Sequence, residues 1–253
     1  MNVHPTALVD PAARLAPDVR VGPFCVVGPD VELGPGCRLV ARVTIQGRVR
    51  AGRDNVFWPT AVVGGDPQDQ RPAAADGRIK IGDGNVFRES STVHRPKMDG
   101  GITRLGSRNR LHAGAHVAHD CEIGSDVVLG THSLLGGHCR VEDGSWIEGQ
   151  GGVHQFVTVG RRSWIKTQTA ASEDVPPYMW IEGNHFEVRG VNPACRTPAL
   201  ERAFETVWRS GLPRPEAIAA LEAVDDPQVR ELAGFLRRSA AGRYGRALEA
   251  QRR

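Results

Sequence analysis

The residues in this sequence that could do chemistry are histidines, and most of them concentrate in one stretch of the chain. His119 is followed directly by Asp120, and His138 and His154 come further along. Histidine titrates near neutral pH, so an imidazole held by a carboxylate is well suited to act as a general base. Several imidazoles close together could instead bind a metal ion such as zinc. Which chemistry applies depends on how the chain positions these side chains.

A six-residue repeat predicts that positioning. Aliphatic residues recur at every sixth position through most of residues 3–165, a period that neither an α-helix nor a simple strand produces. A step of six suits a short strand plus a turn, and three such sides make one triangular coil of eighteen residues. The aliphatic side chain points inward, and a small residue four positions later fills the space beside it. Four cysteines occupy that small position and are expected to be interior fillers: Cys25, Cys37, Cys121 and Cys139.

Winding the chain into such coils brings the candidate residues together. His119, His138 and His154 fall within one position of a common corner on three successive coils, with coils spaced about 4.8 Å apart as in paired strands. All three occupy outward-facing positions. Gly137 lies directly above His119, where the missing side chain leaves a notch and exposes backbone N–H groups. His116 approaches the same region, so the pattern favours a general base in a glycine-lined notch.

The repeat also divides the chain. Residues 1–171 are predicted to form a parallel β-helix, interrupted by loops at 64–78 and 94–104 that are rich in Gly, Pro and polar residues. Long loops on a rigid scaffold are common sites of function. We expect an extended linker over residues 172–195 and a helical subdomain over 196–253, which would cover the last coil.

Composition excludes several classes of protein. No run of eighteen apolar residues exists, so no transmembrane segment is expected, and the first residues lack a secretory signal pattern. A net charge of +3 is too small to indicate a nucleic-acid partner. The five cysteines are odd in number and form no CxxC pair, which indicates free thiols and a cytoplasmic location.

Three motifs resemble one known family. "AHVAHDC" (115–121), "GGHCR" (136–140) and "GVHQF" (152–156) are similar to the bacterial UDP-N-acetylglucosamine O-acyltransferases of lipid A biosynthesis. "GPFCVVGP", "RESSTVHR", "DVPPY", "GNH" and "GVN" extend the similarity from Val3 to about Asn192. The resemblance implies an all-β left-handed parallel β-helix with a small C-terminal helical subdomain. It also implies acyl transfer from acyl carrier protein to the 3-hydroxyl of UDP-GlcNAc, in a homotrimer, with no cofactor besides that acyl donor.

The resemblance assigns roles by position. It makes His119 the general base and Asp120 the residue that supports it. It also implies that the Gly137 N–H stabilises the oxyanion that develops on the thioester carbonyl. Thr167 and His185 match the end of the acyl pocket, and no metal ligand is implied. The residues that match substrate-binding positions are His116, His138, His154, Gln155, Asn192, Asp69 and Arg71.

The sequence also departs from that family. The family's basic "LKRR"-like segment after "GVN" is replaced by "NPACRTPALER", in which Arg196 and Arg202 are the available cations. Thr167 stands where the family commonly has glycine. These changes suit a divergent paralogue, so an N-acyltransferase for another nucleotide amino sugar stays open. A zinc-binding trimer like the gamma-class carbonic anhydrases is a further alternative, although the His-x-x-His spacing differs from that class.

Overall fold

Short strands wind into three parallel sheets that form the sides of a prism. The protein is seen in a computed structural model that describes residues 2–69, 76–183 and 186–251. Each of the first twenty-three strands pairs with the one three places later in the chain, as when Asn2 lies beside Arg20 and Glu122 beside Arg140. Both pairs are eighteen residues apart, so the coil length predicted from the repeat is confirmed.

We call the three sides faces A, B and C. Face A consists of β1 (Asn2–Val3), β4 (Arg20–Val21), β7 (Arg38–Leu39), β10 (Val56–Phe57), β13 (Val86–Phe87), β16 (Arg110–Leu111), β19 (Val128–Leu129), β22 (Trp146–Ile147), β25 (Trp164–Ile165), β27 (Met179–Ile181) and β28 (Val188–Val191). Face B consists of β2 (Leu8–Val9), β5 (Val26–Val27), β8 (Thr44–Ile45), β11 (Val62–Gly65), β14 (Thr92–His94), β17 (His116–Val117), β20 (Leu134–Leu135), β23 (Gly152–Val153) and β26 (Ala170–Ala171). Face C consists of β3 (Arg14–Leu15), β6 (Val31–Leu33), β9 (Arg48–Ala51), β12 (Arg78–Ile81), β15 (Ile102–Leu105), β18 (Glu122–Ile123), β21 (Arg140–Val141) and β24 (Thr158–Val159).

The core lies along the axis of the prism. The aliphatic residue of each repeat points inward and is buried in all but the first coil, whereas its neighbour in the same strand usually faces outward. The cysteines at the small position, such as Cys121 and Cys139, are buried and free as expected. Side chains alternate between the two surfaces of a strand. The outward residues of faces A, B and C therefore do not belong to the core and can contact ligands or other proteins.

Both predicted loops leave the prism after a strand of face B and return to it at a strand of face C. The first lies between the end of β11 at Gly65 and the start of β12 at Arg78, and residues 70–75 are outside the described part. The second begins after His94 and its last residue is Gly101, three residues before the predicted end at 104. It ends there because Thr103 already pairs in register with Ile79.

The stretch predicted as an extended linker is part of the sheet structure. β27 continues face A by pairing with β25, and β28 folds back antiparallel on β27. Met179 and Ile181 are fully buried, so this hairpin covers the last coil of the core. A 3₁₀ turn, Pro193–Cys195, leads to the helices.

The C-terminal helices begin at proline-marked caps. α1 (Pro198–Phe204) continues as a π-helical turn (Glu205–Arg209), followed by α2 (Arg214–Glu222) and α3 (Pro227–Ala241). The Thr197 side chain accepts the Leu200 N–H at 3.1 Å, and Asp226 accepts two N–H groups at the start of α3, which satisfies donors that a helix start leaves unpaired. A final 3₁₀ turn spans Leu248–Gln251.

No helix in the described part of the chain is both long and apolar enough to span a membrane.

Candidate active site

The predicted histidine column lies on the corner between faces B and C. Asp120, His138 and Phe156 occupy the same place on three successive coils, and all have positive φ, at 59°, 61° and 64°. The His138 N–H donates to the His119 carbonyl at 3.0 Å, and the Phe156 N–H donates to the Gly137 carbonyl at 3.1 Å. These bonds between coils fix the spacing of the side chains that project from the corner.

His119 and Asp120 form a tight pair at this corner. His119 Nδ1 lies 2.8 Å from Asp120 Oδ2, and the two side chains are 12% and 9% exposed. Burial acts to raise the pKa of the Asp120 carboxyl, but hydrogen bonds from His119 and from the Lys97 N–H bring it below its ordinary value. An ionised Asp120 therefore holds the proton on Nδ1 and leaves Nε2 with a free lone pair, as a general base requires.

His138 packs against this pair. Its ring meets the His119 ring edge-on, with centroids 5.1 Å apart, and stacks on Phe156 at 4.6 Å. His138 Nε2 lies 4.0 Å from Asp120 Oδ2. The stacked phenyl ring fixes the imidazole in place beside the carboxylate.

Gly137 covers the His119 ring as the repeat predicts. A Cβ at this glycine would lie 2.5 Å from Cε1 and 2.7 Å from Nε2 of His119, far inside contact distance. Within the described residues, the Gly137 N–H has no hydrogen-bond acceptor in the protein. A backbone N–H without an acceptor in the protein can donate to an oxyanion that forms next to the His119 ring.

Two open recesses meet at His119. The larger, about 920 Å³, runs over face B and is lined by His116, Gly152 and His154. The second, about 510 Å³, lies toward face C, against Asp120 and His138. His119, Asp69 and Gln155 line both recesses, so the imidazole stands where two bound groups could meet.

His116 is held neutral on the face B side. Burial lowers its pKa to about 4, with His94 and His119 contributing. Its Nδ1 lies 2.8 Å from Thr92 Oγ1, and its ring centroid is 4.9 Å from that of His94. A neutral imidazole can both donate and accept hydrogen bonds to a polar ligand.

Asp69 approaches the site from the first loop. It forms an ion pair with the ammonium group of Lys97, whose side chain is 5% exposed. The Lys97 backbone N–H in turn donates to Asp120 at 2.9 Å. The two loops are thus tied to each other and to the His119–Asp120 pair.

Two sequence-predicted residues lie away from this cluster. The Asn192 side chain donates to the Arg162 carbonyl at 2.7 Å and caps the 3₁₀ turn. Thr167 lies on an upper coil beside face A, where Glu148 accepts both its N–H and its Oγ1–H. Arg71 and His185 fall outside the described residues.

Four residues near the site were not predicted from the sequence: His94, Lys97, Phe156 and Arg246. Phe156 stands eighteen residues after His138, so the column rule itself could have found it. Lys97 lies in a loop without a repeat. Arg246 contacts His154, which is ninety-two residues earlier in the sequence. The six-residue repeat does not predict this contact.

One group could also accept a metal ion. His119, Asp120 and His138 offer three ligand atoms that all lie within 4.8 Å of one another. Two imidazoles and a carboxylate are ligands that zinc accepts. The geometry alone therefore permits both a general base and a metal site.

Comparison with known proteins identifies the family to which these features belong. Residues 174–244 match the family model described as Udp N-acetylglucosamine O-acyltransferase, Domain 2, and residues 12–47 and 102–137 match bacterial transferase hexapeptide repeats. The chain is 39% identical over 230 residues to an acyl-(acyl-carrier-protein)–UDP-N-acetylglucosamine O-acyltransferase of Verminephrobacter eiseniae, covering 87% of this chain and 88% of the relative. A relative of the same name from Stenotrophomonas maltophilia is 39% identical, covering 93% of this chain and 94% of its own length.

Solved structures agree with these relatives. A UDP-N-acetylglucosamine acyltransferase from Bacteroides fragilis superposes with a TM-score of 0.88 at 27% identity, covering 93% of this chain and 96% of its own. The Acinetobacter baumannii structure gives a TM-score of 0.86 at 30% identity, covering 91% of this chain and 95% of its own. The expected fold, a left-handed parallel β-helix with a small C-terminal helical subdomain, is confirmed.

Proposed function

Because the chain belongs to the family of acyl-(acyl-carrier-protein)–UDP-N-acetylglucosamine O-acyltransferases, we propose that it performs the first step of lipid A biosynthesis. It moves an acyl chain from acyl carrier protein to the 3-hydroxyl of UDP-GlcNAc or a close UDP-sugar. The observation that carries this proposal is the His119–Asp120 pair beneath the Gly137 N–H, at the junction of two recesses.

The geometry supports a direct transfer. His119 Nε2 takes the proton of the sugar hydroxyl as its oxygen attacks the thioester carbonyl, and the Asp120 carboxylate stabilises the imidazolium that forms. The negative charge that develops on the carbonyl oxygen is met by the Gly137 N–H. When the intermediate collapses, the C–S bond breaks and the thiolate leaving group takes the proton from His119. No cofactor is needed in this scheme.

The remaining site residues bind the two substrates in this proposal. His116, His154 and Gln155 line the larger recess and hold the UDP-sugar. Asp69 contributes to the pocket of the acyl donor, and His138 helps to hold the acceptor sugar. Arg71, which lies outside the described residues, is assigned to substrate binding by the resemblance alone. Thr167 bounds the far end of the pocket that receives the acyl chain. His185, which lies outside the described residues, is assigned to this pocket by the resemblance alone.

We further propose that the enzyme is a cytoplasmic homotrimer. Its recesses are open, and a neighbouring subunit would close each one against water. Asn192 is bonded to Arg162 away from His119, so the partner subunit rather than the same chain would bring such a residue to the sugar. Five free, buried cysteines fit a reducing compartment.

One assay tests the proposal. The purified protein is incubated with acyl-carrier-protein thioesters of graded chain length and a panel of UDP-sugars, including UDP-GlcNAc and its 3-amino analogue. An ester product, cleaved by mild base, is expected. Exclusive formation of a base-stable amide would favour the N-acyltransferase alternative. That alternative stays open because the family's basic segment is missing, and Arg196, one of the cations in its place, is paired with Glu201. No acylated product with any acceptor would refute the proposal.

The three-ligand group at His119 calls for a separate measurement. We expect acyl transfer to persist after treatment with a strong chelator, because the mechanism uses His119 as a free base. Stoichiometric zinc in the purified protein, together with loss of activity on chelation, would favour the metal reading.

A further inference from the structure

The last residues of the described chain return to the β-helix. We call residues 242–250 the tail segment. The Asp174 N–H donates to the Gly245 carbonyl at 2.9 Å, and the Ala247 N–H donates to Asp174 Oδ2 at 2.8 Å. The other oxygen of Asp174 accepts the Thr158 N–H at 2.7 Å. One buried carboxylate therefore ties the tail segment to the coils beside the active site.

The tail segment places a buried cation against His154. Arg246 is 8% exposed, and its Nη1 donates to the Ser172 carbonyl at 3.1 Å and lies 3.0 Å from His154 Nδ1. Its Nη2 pairs with the buried carboxylate of Glu249 at 3.3 Å. Arg246 lines neither recess, so it does not face a ligand itself.

This contact fixes the proton on the His154 ring. A guanidinium carries only donors, so Nδ1 must be the acceptor at 3.0 Å from Arg246. Nδ1 also lies 3.0 Å from the Gln155 carbonyl, a contact that would require the opposite tautomer. The contact with Arg246 therefore requires the proton to be on Nε2, which has no partner among the described residues, and His154 lines the larger recess.

We propose that Arg246 is a positioning residue, which holds His154 as an Nε2–H donor for an acceptor oxygen of the nucleotide sugar. This rests on the proposed function for the identity of the ligand. The C-terminal tail segment is then part of the acceptor site, although it lies far from it in the sequence. Without Arg246 the ring can turn its Nδ1–H toward the Gln155 carbonyl and present an acceptor to the recess instead.

A double-mutant cycle tests this proposal. The variants are Arg246→Met, His154→Ala and the combination, and calorimetry measures the Kd for UDP-GlcNAc. Arg246→Met should weaken binding by about tenfold to a hundredfold, the range for a lost hydrogen bond to a charged group. In the His154→Ala background the same change should have little effect, because Arg246 acts through that ring. An equal loss in both backgrounds, or none in either, would overturn the proposal.

Two controls separate this role from a structural one. Arg243→Met removes an exposed arginine of the same segment, which contacts Tyr244, and should leave the Kd unchanged. Arg246→Lys keeps a donor and a charge and should recover part of the affinity. If Arg246→Met unfolds the tail segment, the lysine variant carries the cycle.

The tautomer can be observed without any ligand. Nuclear magnetic resonance of the ¹⁵N-histidine-labelled protein shows which nitrogen of His154 bears the proton. We expect Nε2–H in the natural protein and a shift toward Nδ1–H in Arg246→Met. Nδ1–H in the natural protein would refute the proposal. A protein that shows the expected tautomer but binds no UDP-GlcNAc would instead refute the proposed acceptor.

Discussion

Single side chains in the site have distinct tasks because each imidazole uses its nitrogens differently. His119 Nδ1 bonds to Asp120, whose pKa is lowered, and Nε2 carries a free lone pair. His116 is buried and neutral and bonds Thr92. Only the first combines a free lone pair with a bare N–H group nearby, at Gly137. These contacts suit His119 to the proposed role of base and His116 to the proposed binding of substrate.

Replacing His119 with Ala should lower kcat by about 10²–10⁴-fold, which is the usual contribution of a positioned general base. The fold and the oligomer should be unchanged, since the side chain projects from the corner into the recesses. Steady-state kinetics and light scattering measure both. Near-full activity in the variant would remove His119 from the role of base.

Replacing Gly137 with Ala tests the notch. The added Cβ would fall 2.5–2.7 Å from the His119 ring, so the imidazole must move and kcat should drop by at least about tenfold, a modest part of the general-base effect. Gly28→Ala is the matched control, because its nearest neighbour atom would be an ordinary 3.4 Å away. Equal activity in the two variants would contradict the close approach of Gly137 to the base.

His116 makes stability depend on pH. Its pKa falls from 6.5 to about 4 on folding, so between these values the unfolded chain binds a proton that the folded protein excludes. The contribution of His116 to the free energy of unfolding is therefore lost progressively as the pH falls from 6.5 toward 4. His116→Gln should flatten this loss, measured as the thermal midpoint above and within the window. His132→Gln, an exposed histidine, is the control, and identical acid profiles for both variants would contradict the assignment.

Much of the site was predictable from the sequence because the coil turns sequence spacing into spatial spacing. Gly137 over His119, and His138 beside Asp120, follow from the eighteen-residue coil. Lys97 and Arg246 were not predictable in this way. One lies in a loop and the other beyond the last coil, where contacts depend on tertiary packing instead of a repeat.

At the scale of elements, the upper coils of face A hold Thr167, the residue that we propose as the end of the acyl pocket. Thr167 is held by two hydrogen bonds to Glu148, at 2.8 and 2.9 Å. Glu148 also accepts the Trp164 Nε1–H at 2.9 Å and pairs with Lys166. The threonine hydroxyl is therefore hydrogen-bonded within this cluster, and the bond fixes the orientation of the side chain on the coil.

Thr167→Gly should lengthen the preferred acyl chain by several carbons if Thr167 bounds the groove. Each further methylene contributes about 0.8 kcal/mol only where it can be buried. The donor profile is measured with acyl-carrier-protein thioesters of graded length. Thr167→Ser, which keeps the hydroxyl and loses one methyl group, should give an intermediate profile. An unaltered preference in both variants would show that the groove ends elsewhere.

The same elements show where sequence patterns stop being informative. The hexad predicts every coil from β1 to β26, since an inward aliphatic residue and a turn suffice to specify each side. The hairpin of β27 and β28 lies in the stretch predicted as a linker. It forms because Met179 and Ile181 must cover an otherwise exposed end of the core, a requirement that belongs to the assembled prism.

At the scale of the whole molecule, the three faces of the prism differ in character. Face C carries a row of charges, with Glu32 between Arg14 and Arg50. Face A carries Trp146 stacked on Trp164 at 5.2 Å, and Trp146 is 45% exposed. Face B exposes Leu134 and Ala170, and Gly152 between them is half-buried. Face A is apolar only in its upper coils, since Arg20, Arg38 and Arg110 are exposed on its lower strands. The apolar upper part of face A and the apolar side chains of face B suit a closed ring in which face A of one subunit packs on face B of the next.

We therefore expect the natural protein to have three times the 27.4 kDa mass of the chain when measured by light scattering at micromolar concentration. Trp146→Glu should weaken the ring, because a charge buried in an apolar contact is costly. Activity should fall with it, although no residue lining either recess is changed, since each recess needs a neighbour to exclude water. Arg104→Glu on face C is the matched control and should keep both mass and activity. A monomeric natural protein with full acyl transfer would show that one chain holds a complete site, and the partner's part in binding the sugar would have to be abandoned.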